Sequence, residues 1–317
     1  MDKTGFIKYL ESKDLALKTI TQYVKYTGDF FTKVKKEDIQ VVKPDVLKFM
    51  EYLKNRNLQK SYRSQYLNAI NHYFTFLYHN GKITKNPCLF LKMRGVTKKK
   101  MYKIYTPEEL DQLFDTYYQL FVRNYDDSYM CKNYQKQSRL SKERNALILS
   151  ILFNQGTTTT EIEKIELNDL DLVKATLKIR GKRKSNERIL PLKATQIGLF
   201  MNYLQNIRPQ LLEYHKTEPT KLFLPLTKEK YSKKEVNKDG LMYAFFALTN
   251  QLKSIDKQFL NVLQIRASVI SFWIKTQGLR KAQYFAGHRY VSSTERYLTN
   301  NLDGLIDDIN KLHPFDF

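Results

Sequence analysis

Cysteine is scarce in this chain of 317 residues, which holds two, Cys88 and Cys131. Two cysteines build no disulfide framework, and their rarity suits a reducing compartment. Nowhere do eighteen apolar residues run together, so no membrane-spanning helix is expected. The opening residues lack the basic-then-apolar order of a secretion signal. Together these absences lead us to expect a soluble, cytoplasmic protein with no membrane partner. No segment repeats at a fixed period, which excludes a solenoid. Acidic residues are also short: 32 Asp and Glu stand against 54 Lys and Arg, for a net charge of +22 and a pI near 9.7. Such an excess repels itself, and it is tolerated where a polyanion offsets it. The plain alternative is a compositional bias toward lysine. With 42% apolar and 13% aromatic residues, the chain can bury a real core, which excludes a disordered polypeptide. Its length suits two domains or one large one.

Residues 1–95 read as helical. A short opening helix covers about Thr4 to Leu10. Leu15, Ile20, Tyr23, Val24, Phe30 and Phe31 mark one face of a second helix. Val46, Met50 and Leu53 mark a third, which Pro44 opens. Tyr62, Tyr66, Ile70, Tyr73, Phe74 and Leu77 mark a fourth, which stops at Asn80-Gly81. Four helices with short connections make a small bundle, and this bundle carries more than its share of lysine and arginine. Residues 96–105 read as a linker that carries Lys98, Lys99 and Lys100. Thr106-Pro107-Glu108-Glu109 is a strong helix start and opens a second domain over 106–317. Residues 119–141 are polar and read as a surface excursion, and 142–155 as an apolar helix. Leu177–Arg180 and Arg188–Leu192 read as two strands joined by a basic turn. Helices are expected near 194–212, 240–254, 260–277 and 279–286, with a tail helix after residue 298. The expected fold is therefore mostly α with a small β-sheet.

Three clusters carry chemistry. The first is the hairpin Gly181-Lys182 … Glu187-Arg188-Ile189-Leu190-Pro191-Leu192. The second is Arg266, inside the apolar helix that contains Val269, Ile270, Phe272 and Trp273; an arginine there needs an anion or a carboxylate, because burying it unpaired is costly. The third is Ala286-Gly287-His288 … Ser292-Ser293-Thr294-Glu295-Arg296-Tyr297. Ser292 and Glu295 read as a capping box, which would set Tyr297 about one turn into a helix. Each cluster has a bland reading: a turn lysine in a lysine-rich chain, a structural ion pair, one tyrosine among 22.

Taken together, the clusters resemble the tyrosine recombinases of the phage-integrase family. The Gly-His … Thr … Tyr run matches the family's terminal signature. The resemblance implies a helical core-binding (SAM-like) domain followed by a catalytic domain, the two closing as a C-shaped clamp on double-stranded DNA. It implies Tyr297 as the nucleophile on a DNA phosphate, Arg266 and His288 around that phosphate, and Lys182 as the acid for the leaving oxygen. It implies no metal and no cofactor, since a phosphotyrosyl bond conserves the energy of the cut strand. Lys60, Arg63, Lys98, Lys99 and Lys100 are the candidate DNA contacts. The tail would serve self-association, as a dimer or tetramer on DNA.

Two positions depart from the family pattern. Gln155-Gly156-Thr157-Thr158-Thr159-Thr160-Glu161-Ile162 matches the turn that usually carries the first catalytic arginine, and Thr158 stands in the arginine's place. Leu263 stands where the family usually has His or Lys. Arg180, Arg183 and Arg188 on the hairpin are the candidates for a compensating cation. The expected activity is site-specific cutting and rejoining of DNA, as in a mobile element. Two alternatives stay open: a catalytically impaired DNA-binding accessory or regulatory protein, and a type IB topoisomerase-like enzyme.

Overall fold

Apolar periodicity and punctuation account for most of the elements in the computed structural model, which describes residues 1–93, 103–181, 185–216, 219–226 and 241–298. The chain divides into two units, Met1–Lys99 and Lys100–Phe317.

The first unit holds four helices: α1 (Lys3–Ser12), α2 (Leu17–Val34), α3 (Lys43–Asn55) and α4 (Lys60–His79). Asp2 caps α1 by accepting from the Gly5 amide. Pro44 sits in the first turn of α3, and the Asp45 carboxylate takes the Val42 amide at 3.0 Å. Phe6, Leu10, Phe30, Val46, Ile70, Tyr73, Phe74 and Leu77 are sealed from solvent in one core. Each such side chain is worth roughly 1.5–3 kcal/mol over an exposed one. Lys60 is the first residue of α4. One turn on, the Arg63 Nε is buried without a hydrogen-bond partner among the described residues.

The second unit starts before the expected boundary. The Tyr105 amide donates to Ser268 Oγ (2.9 Å) and its hydroxyl to Asp256 (2.7 Å), so residues 103–105 belong to this unit rather than to a linker. Thr106 and Glu109 close a capping box on α5 (Pro107–Tyr118), as the sequence leads one to expect. A π-turn at Gln119–Arg123 follows. The next helix, α6 (Lys132–Gln155), begins ten residues earlier than its apolar pattern suggests. Its first half is polar and largely solvent-facing, so periodicity did not reveal it. Its second half, Arg144–Phe153, is buried all round and forms the axis of the core.

After the short α7 (Thr159–Ile162), three antiparallel strands run in sequence order: β1 (Leu170–Asp171), β2 (Thr176–Ile179) and β3 (Arg188–Pro191). β1 is an addition, too short to leave a period in the sequence. β2 and β3 pair with Leu177 opposite Leu190 and Ile179 opposite Arg188. Among the described residues five helices follow, the first four being α8 (Ala194–Asn202), α9 (Arg208–Leu212) after a second π-turn at Tyr203–Ile207, α10 (Met242–Ile255) and α11 (Val262–Ala286). α11 breaks at Gly278 (φ 79°, ψ 164°), the expected division between two helices. No helix of the described residues is long and apolar enough to cross a membrane.

α12 (Val291–Glu295) corrects the expected cap. Tyr290, not Ser292, is its N-cap residue, and no side chain caps it. Tyr297 lies just beyond the helix end, its amide bonded to the Thr294 carbonyl at 2.9 Å. The frame is set by Thr294, which is fully buried against His288. That side-chain bond, six residues in span, outweighs the serine cap.

Candidate active site

α6 ends at Gly156, which takes a left-handed turn (φ 53°). A side chain there would press on Val269 and Trp273 of α11. This close approach brings α7 beside Arg266. Thr158 N-caps α7 and completes a capping box: the Thr158 amide and hydroxyl both donate to Glu161 Oε2, at 2.8 and 2.9 Å. The position that resembles the family's first arginine is thus a short neutral cap whose work is to hold a carboxylate.

Glu161 is the hub of the site. Its Oε1 accepts from Arg188 Nη1 at 2.9 Å, and its Oε2 lies 3.8 Å from Arg266 Nη1. Burial pushes the Glu161 carboxyl up, but the hydrogen bond from Arg188 and the charges of both arginines outweigh it and hold the group at about 2. One carboxylate therefore faces two buried guanidiniums, and the cluster keeps a net positive charge. The Arg188 side chain is wholly buried, and its Nε and Nη2 have no partner among the described residues.

Arg266 lies in the buried stretch of α11. It donates through Nη1 to the Gly156 carbonyl and through Nη2 to the Ala286 carbonyl at 2.8 Å. Those carbonyls close the ends of α6 and α11, where a cation is favoured by the helix dipole and by unpaired carbonyls. Nη2 also meets His288 Nε2 at 3.2 Å. The Tyr297 phenol is close enough to this guanidinium to act on it electrostatically. The His288 and Tyr297 rings are nearly parallel, with centroids 5.8 Å apart. On its other side, His288 Nδ1 lies 2.9 Å from Thr294 Oγ1. Burial, followed by the charges of Arg266 and Arg188, lowers the His288 pKa to about 4. The imidazole is therefore neutral near pH 7.

The turn that carries His288 is tied to the hairpin. The Asn186 amide donates to the Gly287 carbonyl at 2.9 Å, and Ser185 pairs with His288 as an isolated antiparallel bridge. Gly287 is left-handed (φ 67°), and a Cβ built on it would run into the Arg188 guanidinium. Only glycine serves there, on both counts.

Of the residues singled out from sequence, Arg266, His288 and Tyr297 come together here. Of the three candidate compensating arginines, Arg188 is beside them. Arg180 is elsewhere engaged, by Glu166 at 2.8 Å and Asp169 at 2.9 Å. Lys182, Arg183, Lys98, Lys99, Lys100 and the tail after residue 298 lie outside the described residues. Leu263 is 59% exposed at the start of α11 and offers no polar group. Sequence reasoning read Glu161 only as a frame marker and gave Thr294 no role. The signal for the first was a carboxylate within a basic motif; for the second, the hydroxyl in the signature itself.

Comparison with known proteins locates this arrangement. The pattern of the phage integrase family matches residues 130–303, more than half of the chain. The chain belongs to the phage integrase family. Among curated relatives of this integrase-family member is tyrosine recombinase XerC of Natranaerobius thermophilus, 26% identical over 323 residues, which spans 98% of this chain and 97% of that one. Another is tyrosine recombinase XerD of Staphylococcus haemolyticus, 30% identical over 172 residues, or 54% of this chain and 55% of that one. The fold is also similar to the XerH site-specific recombinase solved with its difH substrate (TM-score 0.63, 15% identity, 96% of this chain and 84% of that one). It is similar as well to the Tn1549 transposon integrase solved with circular-intermediate DNA (TM-score 0.62, 14% identity, 98% and 99% covered). At these identities the structural likeness is one of fold. This chain is thus a tyrosine recombinase by family, and the site just described lies entirely within the matched segment.

Proposed function

We propose that this family member cuts and rejoins double-stranded DNA at a specific site, through a covalent 3′-phosphotyrosyl intermediate, in the service of a mobile element. The observation that carries the reading is the juxtaposition of the Tyr297 hydroxyl, the Arg266 guanidinium and the His288 imidazole in one positively charged pocket. A phosphodiester under attack gains charge on its non-bridging oxygens, and fixed cationic donors stabilise that charge. Arg266 is the fork for one of those oxygens. Tyr297 is the nucleophile, which attacks phosphorus as the 5′ oxygen leaves. The family pattern gives Lys182 the task of protonating that oxygen.

Arg188 supplies the second positive charge, for which Thr158 is no substitute. It stands behind Glu161 rather than in the open pocket, so it acts through its field. Buried charges are screened far less than exposed ones, which makes that field count. Arg188→Met, in a variant verified as folded, is expected to lower the rate of covalent adduct formation, by less than the about 10²–10³ lost with a donor that touches the reacting oxygen. A folded variant that reacts at the parental rate would remove Arg188 from the chemistry.

The direct test is a nicked suicide duplex built from DNA that flanks the gene in its source genome. Covalent capture of the protein on a 3′ phosphate is expected, with Tyr297 as the modified residue. The duplex should bind more weakly as salt rises, because phosphate contacts release counterions. Salt-dependent binding with no adduct on a verified site would replace this reading by that of an accessory DNA-binding protein, for which the neutral Thr158 and the exposed, apolar Leu263 are the favouring observations.

A further inference from the structure

Residues 119–141 take no part in the site described above, yet they help to build a second charged cavity. The π-turn Gln119–Arg123, the loop after it and α6 enclose about 300 Å³, lined by Val122, Arg123, Tyr125, Arg139, Lys142 and Glu143. Its walls are held by specific bonds. Arg139 forks onto the buried carboxylate of Asp127, with Nε donating to Oδ2 at 2.6 Å and Nη2 to Oδ1 at 2.8 Å. The Gln135 side chain on α6 donates to the Asp127 and Met130 carbonyls at 3.0 and 2.9 Å, which ties the loop to the helix. Lys142 precedes Gly156 by about four turns of α6, so the cavity stands roughly 20 Å along that helix from the Arg266 pocket. It is a separate place.

Lys142 is the costly residue there. It is 8% exposed, and its Nζ is buried with no hydrogen-bond partner among the described residues. The Tyr125 ring covers that nitrogen with its face. Burial lowers the Lys142 pKa to about 8, although the charge of Asp127 works the other way. A lysine that reached solvent, or an apolar side chain of similar length, would avoid this cost. The surroundings add to the imbalance. Asp127 is taken up by Arg139, which holds it ionised. That leaves Arg123, Lys142 and the buried Arg144 against the single carboxylate of Glu143, and Arg144 donates only to the Asn145 side chain and the Leu224 carbonyl. Burial raises the Glu143 pKa, which weakens even that anion. Three cations against one carboxylate leave a surplus of two positive charges beside an aromatic wall.

We propose that this cavity binds a phosphate monoester, with Lys142, Arg123 and Arg139 as its donors and Tyr125 as the wall for the group that carries the phosphate. Such an ester bears a charge of about −1.5 to −2 near pH 7 and three acceptor oxygens. The guanidinium forks of Arg123 and Arg139 suit those oxygens, and Lys142 adds a point charge at depth. The volume lies at the small end of the range for ligand pockets, which suits a nucleoside monophosphate and excludes a length of duplex. The Tyr125 ring satisfies Nζ only through its π face. That contact is weaker than a charge-assisted hydrogen bond, so a phosphate exchanges with the ring at a gain. Binding is the whole event; no covalent bond forms or breaks.

The pH dependence follows from the groups that face one another. Lys142 serves only when protonated, a state that is full below its pKa of about 8 and lost above it. The ester gives up its second proton near pH 6. Arg123 and Arg139 stay charged throughout, Asp127 stays ionised, and the Tyr125 hydroxyl stays protonated, with its pKa pushed up to about 12 by its bond with Tyr129 and by burial. Affinity should therefore be greatest between about pH 6 and 8. By linkage, bound phosphate raises the Lys142 pKa.

The experiment offers the full-length protein three probes: inorganic phosphate, adenosine 5′-monophosphate and a duplex with unphosphorylated ends. Calorimetry reads binding. Trace labelling with acetic anhydride across pH, followed by peptide mass spectrometry, reads Lys142 itself and so separates this cavity from the Arg266 pocket. Both phosphates should protect Lys142 from the label and move the inflection of its labelling profile to higher pH. Lys142→Met should weaken phosphate binding at this cavity by roughly 10- to 100-fold, the worth of one charge-assisted hydrogen bond, and leave duplex affinity unchanged. Lys142→Arg keeps the charge and should retain binding. The labelling of the parent decides the matter even if Lys142→Met fails to fold. Phosphates that leave the Lys142 profile unmoved would overturn the proposal, as would a folded Lys142→Met that binds them as the parent does. Protection by the duplex alone would also overturn it and give the cavity to the DNA backbone. Neither readout requires strand cutting, so the outcome is independent of the recombinase reading.

Discussion

Tyr297→Phe is expected to form no covalent adduct with DNA while it binds duplex as the parent does. The substitution removes one hydroxyl and leaves the ring, which packs nearly parallel to His288. Phosphotyrosyl chemistry needs that oxygen as its nucleophile, so the loss should be complete rather than graded. The fold should tolerate the change. Tyr297 lies past the end of α12, partly exposed, so its hydroxyl can contribute at most one hydrogen bond to the fold. One such bond is worth about 1 kcal/mol. Tyr290 is the matched control: it is 63% exposed and only caps α12 with its backbone, so Tyr290→Phe should still form adduct. Suicide-duplex capture, alongside urea unfolding and duplex titration, measures all three properties. Adduct formation by Tyr297→Phe at the parental rate would end the assignment of the nucleophile.

Glu161→Gln should be the most destabilising conservative change in the site. The carboxylate is 4% exposed and is the one anion set between two buried arginines. Neutralising it leaves those cations facing each other without compensation, and breaking a buried pair in this way typically costs about 3–5 kcal/mol. A pH series gives an independent check. The folded pKa of Glu161 is held at about 2, below the ordinary 4.5. The ionised form is thus favoured by folding. The stabilisation is complete above pH 4.5 and is lost as pH falls toward 2, and a shift of this size corresponds to roughly 3 kcal/mol. In Glu161→Gln that part of the acid loss should be missing. Chemical denaturation between pH 7 and 3 measures both effects. Equal stability of the two proteins at pH 7 would show that Glu161 does not hold the arginines.

What was legible in the sequence follows the range of each interaction. The helices of the first unit, the Thr106 cap, the β2–β3 hairpin and the break at Gly278 depend on neighbours within a few residues, and pattern or punctuation reveals them. The first half of α6 was hidden because its residues are polar and meet solvent, so no period marks them. The Ser292 cap is a local signal that a competing bond six residues in span overrode, since Thr294 is buried against His288. At the site, the motif frame brought Arg266, His288 and Tyr297 into view together. The Arg188–Glu161 pair was out of reach. The two residues are 27 positions apart, and hairpin arginines look alike until the register decides which one points inward. The sequence offered Arg180, Arg183 and Arg188 together; in space, Arg180 has its own carboxylates.

Arg266 holds the closing carbonyls of α6 and α11 with the same guanidinium that faces Tyr297. Under the proposed mechanism, scaffold and chemistry therefore share one part. Selection acting on either task alone would retain this arginine, so a lineage that had stopped cutting DNA would still keep it in order to fold. Tyr297 carries no such double duty. Among close descendants of this protein, the fate of the tyrosine, not of the arginine, is the record of whether strand cutting is still in use.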